Sequence, residues 1–204
     1  MKTEILSPDQ LDLAAQLLRD HQLVAFPTDT VYGLGTLAFD GATVAKLYAA
    51  KDRSIEKAIP ILIGDIDQLE QIAIEIPLIA HKLIEQFWPG ALTIVLKKHP
   101  NIPIEVSATE TIGVRMPDLD LTRNLIRLTG PLAVTSANRS AGLNPRTALE
   151  VLAQLNDRID AVIDGGSTPG NVSSTVIDCT QSLPTILREG ALTSAVMNFL
   201  RETL

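Results

Sequence analysis

The chain has 204 residues, 46% of them hydrophobic and 20% charged, and a net charge of -7. That is enough apolar material for a core without disulfide staples, and too acidic a balance for a surface given over to nucleic acid. The single cysteine, Cys179, excludes an internal disulfide and a thiolate metal cluster, and His21, His81 and His99 show no metal-ligand spacing.

The first ten residues lack a basic start followed by an apolar run, and no stretch approaches the roughly 20 apolar residues of a membrane span. A cytoplasmic protein of one domain, residues 1–204, with no membrane attachment, is therefore expected. Ser7-Pro8-Asp9-Gln10 reads as a helix start, with Ser7 as N-cap, Pro8 at the first helical position and Gln10 closing a capping box. Leu11, Ala14, Ala15 and Leu18 then share one face.

Leu23-Val24-Ala25 is a strand signal that runs into FPTDTVYGLG at 26–35 and turns polar within one step. Pro27 keeps Phe26 extended, while Gly33 and Gly35 permit backbone conformations or close approaches that a Cβ would block. Two readings fit the hydroxyls and carboxylate of Thr28, Asp29, Thr30 and Tyr32. They satisfy the amides of a turn, or they line a site.

Asp40 is expected to cap a helix through Val44, Leu47 and Tyr48 that runs out near Lys51-Asp52-Arg53. A buried strand at 59–63 precedes helical patterns at 66–72 and 78–87, the second stopped by Trp88-Pro89-Gly90. Strands follow at 92–97 and 112–116, a helix capped by Asp120 over Leu125 and Leu128, and a strand at 132–135. The last third predicts a helix at 148–155, strands at 161–163, 175–178 and 185–187, and a closing helix near 194–200. Such alternation predicts an α/β domain with a mostly buried, twisted sheet flanked by helices. The sheet should be mixed, because the strands at 175 and 185 lie too close for a helical crossover.

Polar groups follow three of the apolar runs: Thr28-Asp29-Thr30, Arg115, and Thr135-Ser136-Ala137-Asn138. Either strands simply end in polar loops, or these segments converge on a ligand beyond the strand carboxyl ends. Lys51 and Arg53 suit a helix C-terminus, whose dipole they oppose. Arg115 and Arg188 sit beside apolar strand residues, where an unpaired guanidinium is costly, so each needs an anionic ligand or a buried acid nearby. No phosphate loop of the GxxxxGK[ST] type is present. Gly33-Leu34-Gly35 only mimics a dinucleotide fingerprint, and the stretch 164–175 fits an anion-binding nest or a plain turn equally well.

Taken together, PTDTVYGLG at 27–35, K-D-R at 51–53, FWPGALTIVL at 87–96, TIGVR at 111–115, TSAN at 135–138, SSTVID at 173–178 and LREGA at 187–191 resemble the YrdC/Sua5 family across nearly the whole chain. The resemblance is to its short, catalytic-domain-only members. It implies a nucleotidyltransferase that condenses L-threonine, bicarbonate and ATP into L-threonylcarbamoyladenylate with release of pyrophosphate. That product feeds the t6A modification at position 37 of tRNA through a separate threonylcarbamoyltransferase complex.

Carried over by motif, Lys51, Arg53, Lys57, Thr111, Ser136, Asn138, Thr147 and Arg188 are implied to contact ATP. Thr30, Arg115, Thr135 and Ser174 are implied to hold L-threonine. Mg2+ is expected with the nucleotide, held by phosphates and water. No general base, covalent nucleophile or protein metal ligand is assigned.

Ser54 and Ala58 stand where proline is common, the run after Asn138 is one residue longer, and Leu62 replaces a histidine of some longer members. Two other classes share the features: a double-stranded RNA-binding module, which the acidic balance opposes while leaving weak RNA binding open, and a carbamoyl-transfer accessory domain of the same fold.

Overall fold

A computed structural model describes residues 2–169 and 172–203. Its strands are β1 (Glu4–Leu6), β2 (Val24–Phe26), β3 (Gly33–Leu37), β4 (Ile61–Leu62), β5 (Ala73–Ile74), β6 (Leu92–Lys98), β7 (Thr111–Arg115), β8 (Leu132–Ser136), β9 (Ala161–Ile163), β10 (Thr175–Asp178) and β11 (Thr185–Arg188). The α-helices are α1 (Leu11–Arg19), α2 (Gly41–Lys51), α3 (Leu78–Phe87), α4 (Asp120–Thr129), α5 (Ala148–Leu155) and α6 (Thr193–Thr203), with a 3₁₀ helix at Ile66–Gln71. All strands join one mixed sheet in the order β1-β9-β2-β3-β8-β4-β7-β6-β10-β11, with β5 paired to β6. β10 and β11 form the antiparallel pair their short connection requires.

Period-two alternation sorts the side chains into two layers. Ala25, Ile61, Ala133 and Val162 face a core packed by Val44 and Leu47 of α2, Leu83 of α3, Val151 of α5 and Val196 of α6. Their neighbours Val24, Phe26, Leu62, Leu132, Val134, Ala161 and Ile163 face the other side, where Ala14, Ala15 and Leu18 of α1 meet Leu125 and Ile126 of α4.

Along β6, β7 and β10 only the first face is buried in this way, through Ile94, Leu96, Ile112, Val114 and Ile177. The opposite face of these strands belongs to neither cluster. One half of that sheet face is thus covered by α1 and α4, and no helix of the described residues covers the other half.

The N-terminus departs from expectation. α1 begins at Leu11 with Gln10 as its cap residue, and Pro8-Asp9 form a turn. Gln10 Oε1 accepts from the Ser7 amide at 2.9 Å and the Ser7 hydroxyl at 3.0 Å. The side-chain interaction expected of a capping box is present, but it closes the turn that precedes the helix.

Asp40 does cap α2, accepting from the Thr43 amide at 3.1 Å. Leu119, and not Asp120, is the cap residue of α4. Gly33 and Gly35 are strand residues of β3, where a Cβ would lie 2.7 Å from Val134 Cγ1 at the first and 2.9 Å from the Phe26 ring at the second. Close approach, and not turn geometry, requires glycine there.

Candidate active site

The face of β6, β7 and β10 that no described helix covers, with the adjoining parts of β4 and β8, is the floor of a cavity of about 350 Å³, within the range of small-molecule sites. The alternation that buries Ile94 and Val114 on one side turns Thr93 and Val95, then Gly113 and Arg115, into this cavity. Leu62 and Val134 mark its boundary with the α1/α4 layer, since each packs in that cluster and also lines the cavity. The site therefore lies across a sheet face, not beyond the strand carboxyl ends where such crevices are usually expected.

The loop between β2 and β3 closes one side. Thr28 is buried, and its hydroxyl accepts from the amides of Thr30 at 3.1 Å and Val31 at 3.2 Å while donating to the Val31 carbonyl at 2.7 Å. With that proton committed, the 3.0 Å contact between Thr28 and Thr30 is Thr30 donating. Thr30 in turn accepts from Arg115 Nη1 at 3.1 Å. Both readings of the stretch are realised: Thr28 satisfies the turn, and Thr30 faces the cavity.

Tyr32 ties the loop down, donating from its hydroxyl to the Gly166 carbonyl at 2.7 Å. Burial and the nearby Asp164 push its phenol up to about 12. The proposed nest at 164–175 runs through 170 and 171, which lie outside the described residues.

Three guanidinium groups line the cavity in different electrostatic states. Arg115, the last residue of β7, is anchored at every nitrogen: Nε donates to the Gly90 carbonyl at 3.0 Å, Nη1 to Thr30, and Nη2 to the carboxylate of Asp29 at 2.5 Å. Asp29, itself part-buried, is the acid that Arg115 needed. Arg188 makes no ion pair among the described residues; it donates to the Ser174 carbonyl at 2.9 Å and to the Ser174 hydroxyl at 3.0 Å. The residue as a whole is exposed, but partial burial of its guanidinium, and then the charge of Arg115, hold its pKa below the ordinary arginine value.

Arg53 follows Asp52, a left-handed residue with φ of 52° that ends α2. Its Nη2 reaches only the carbonyls of Lys57 at 3.3 Å and Ala58 at 3.2 Å, and its Nε is buried without a partner. Burial lowers its pKa as well. Among the described residues, two cations without counter-ions and one matched cation thus share the cavity, an arrangement suited to a ligand with several negative charges beside one carboxylate.

Of the residues assigned from sequence, Thr30, Arg53, Arg115, Thr135, Ser136, Ser174 and Arg188 come together around this cavity. Lys51 does not line it. Its side chain is fully buried and its ammonium donates to the carbonyls of Ser136 and Asn138, behind the wall that Ser136 presents. Burial, with the charge of Arg53, lowers it to about 7.

Asn138 turns into its own loop, donating to the carbonyls of Arg139 at 2.8 Å and Gly142 at 2.9 Å, and its Oδ1 is buried with no partner. Thr147 caps α5 by accepting from the Glu150 amide at 3.2 Å. Lys57 is exposed on the loop after Arg53. Thr111 shares the face of Gly113 and Arg115 by alternation but lies outside the lining, its hydroxyl 3.2 Å from that of Thr109.

Thr93 and Ser173 also line the cavity, and neither is among the residues assigned to ATP or threonine from sequence, although Ser173 lies in the stretch offered as a nest. Thr93 is buried, with its hydroxyl 2.8 Å from that of Ser174. A polar residue in the otherwise apolar run Leu92-Thr93-Ile94-Val95-Leu96 was the available signal. Among the described residues, none of those lining the cavity carries a carboxylate. Among the described residues no group of three or more His, Cys, Asp or Glu is placed to hold a metal ion, and no helix is long and apolar enough to cross a membrane.

A family model named Sua5_yciO_yrdC, described as "Telomere recombination", matches residues 16–190. The chain belongs to this family. Within the Sua5/YciO/YrdC family, it is 43% identical over 187 residues to the threonylcarbamoyl-AMP synthase of Bacillus subtilis, covering 90% of this chain and 54% of that protein. It is 36% identical over 182 residues to a putative threonylcarbamoyl-AMP synthase of Mycobacterium tuberculosis, covering 89% of this chain and 84% of that one. The structure of Pyrococcus abyssi Sua5 complexed with L-threonine superposes with a TM-score of 0.94 at 38% identity, over 97% of this chain and 61% of that chain. The chain thus spans about half the length of the Bacillus relative and most of the mycobacterial one.

Proposed function

We propose that this chain is a threonylcarbamoyl-AMP synthase, with the α/β domain as its catalytic unit. The observation that carries the reading is the cavity's division between Arg115, held at every nitrogen, and the unpaired Arg53 and Arg188. Likeness to relatives bearing that name, and to a Sua5 structure holding L-threonine, supports the same substrate here.

The α-carboxylate of L-threonine accepts from Arg115, while Thr30 and Ser174 face its amine and hydroxyl. ATP lays its phosphates against Arg53 and Arg188. Magnesium enters as part of the nucleotide substrate, and the lining has no carboxylate to keep a resident ion.

The ammonium group of zwitterionic threonine first gives up a proton to solvent, and the free amine then condenses with bicarbonate to a carbamate with loss of water. A carbamate oxygen then attacks the α-phosphorus of ATP, and the bond to pyrophosphate breaks. Both steps depend on alignment and charge neutralisation, which a rigid cavity of hydroxyls and guanidinium groups supplies without a covalent nucleophile. The product then passes, in the cytoplasm, to a separate transferase that modifies tRNA to t6A.

Incubation with ATP, L-threonine and labelled bicarbonate is the test. A threonine-dependent labelled adenylate and stoichiometric pyrophosphate are expected, and no such product under any divalent-metal condition overturns the reading.

A further inference from the structure

Asp29 has no role in the reaction as derived above, yet it provides the counter-ion that distinguishes Arg115 from the other two cavity arginines. Thr28 and Thr30 line the cavity and Asp29, between them, does not. Its carboxylate reaches Arg115 from behind, with side-chain exposures of 14% for the acid and 7% for the arginine.

We propose that Asp29 partitions the positive charge of the cavity: by pairing with Arg115 it reserves that end for a net-neutral amino acid and confines phosphate to Arg53 and Arg188. The inference rests on the proposed function and adds a specificity-determining residue to it.

The chemistry of the two substrates explains the need. An α-amino acid is a zwitterion, so its carboxylate needs directional donors but no surplus positive charge. A triphosphate or pyrophosphate carries several negative charges and moves to wherever cations are unmatched. Arg115 meets the first requirement, because three of its five N–H donors are fixed by Gly90, Thr30 and Asp29 and two are left for a carboxylate. Arg53 and Arg188 meet the second.

The partition has to be maintained, because Arg115 and Arg188 lie in one field: the charge of Arg115 is felt at Arg188 on top of burial. Without Asp29 the cavity would hold three unmatched cations, and a buried charge left uncompensated draws the nearest anion. Pyrophosphate, the proposed product, would then compete for the threonine end.

The test is calorimetric titration of inorganic pyrophosphate and L-threonine into the wild-type protein, Asp29→Asn and Asp29→Glu at fixed ionic strength. In the wild type the two ligands should bind together, and displacement of threonine by pyrophosphate there overturns the inference without any variant. In Asp29→Asn, pyrophosphate should bind at least roughly tenfold tighter, since a single ligand charge about 10 Å away at an effective dielectric near 20 already feels the lost carboxylate by more than that and pyrophosphate carries several, and it should displace threonine.

Asp29→Glu keeps the charge and should not gain pyrophosphate affinity even if threonine binding weakens. A purely structural role for Asp29 predicts that Asn and Glu behave alike, and that result, or unchanged pyrophosphate affinity in Asp29→Asn, refutes the partition. Wild-type protein that binds neither threonine nor pyrophosphate would instead refute the proposed function.

Discussion

Replacing Arg115 with lysine tests the amino-acid end of the cavity. The native guanidinium holds Gly90 through Nε, Thr30 through Nη1 and Asp29 through Nη2, and presents a planar fork to the ligand. An ammonium retains the charge opposite Asp29 but cannot keep three anchors in one plane or offer a bidentate grip. Loss of about one charge-assisted hydrogen bond, roughly 1.5–3 kcal/mol, lowers kcat/KM by roughly 10- to 150-fold. The Gly90 carbonyl also loses its donor, so the folded state should weaken by about 1–3 kcal/mol.

The assay is pyrophosphate release with threonine, serine and valine as alternative substrates, alongside thermal melts. All three amino acids should fall by one common factor, since they share the α-carboxylate. KM for ATP should stay near the wild-type value, because Arg53 and Arg188 are untouched. A loss confined to threonine would place Arg115 at the substrate side chain, and unchanged rates would remove it from the site.

Other expectations follow from the same geometry. Arg53→Ala should raise KM for ATP by at least about tenfold with the circular dichroism spectrum intact, because the side chain holds only two carbonyls at 3.3 and 3.2 Å; an unfolded variant, or unchanged ATP kinetics, contradicts this. Lys51 is held at about 7 against an ordinary 10.5, so between those values the unfolded chain binds more protons than the native one, and stability from this group rises with pH across that window. Lys51→Met should flatten that rise in urea midpoints measured at about pH 7 and 9, and an unchanged slope excludes Lys51 as its source. The Cys179 thiol is buried, and burial, with Asp178 beside it, raises it to about 12, so thiol reagents should label it only after denaturation. Serine should outperform valine as a substrate: a missing methyl costs roughly 10- to 200-fold, whereas a missing hydroxyl leaves buried polar groups unpaired. Valine matching serine would mean that the cavity reads shape alone.

Helices α3 and α5 and strand β9 have the bounds read from sequence, Leu78–Phe87, Ala148–Leu155 and Ala161–Ile163. Each is marked by local chemistry: Pro77 and Trp88-Pro89-Gly90 bracket α3, and Thr147 caps α5. Elements made by tertiary contact are less legible. β1 and β5 are strands of three and two residues that exist because β9 and β6 offer partners. β3 carries two glycines, which lower strand propensity, and only the approach of Phe26 and Val134 explains them. Pro8 stands where helices start, yet Ser7 and Gln10 close a turn first.

The same limit applies to the site. Period two along β6 and β7 can be read from the chain, but which face a helix covers depends on where α1 and α4 pack, and that is settled between segments a hundred residues apart. Lys51 and Arg53 are basic positions two residues apart at one helix end, and the turn at Asp52 points one into the protein and the other into the cavity. Arg115 and Arg188 are likewise arginines at strand ends, but only Arg115 is buried and costly without an anion, whereas β11 is an edge strand whose Leu187 and Arg188 are exposed. The apolar run before each arginine is visible in the sequence, but whether it is buried depends on neighbours. Asp29 reaches Arg115 only because the β2–β3 loop folds back over the sheet, while Arg188 meets the hydroxyl and carbonyl of Ser174. The difference between those two environments is what lets one cavity hold an amino acid beside a polyphosphate.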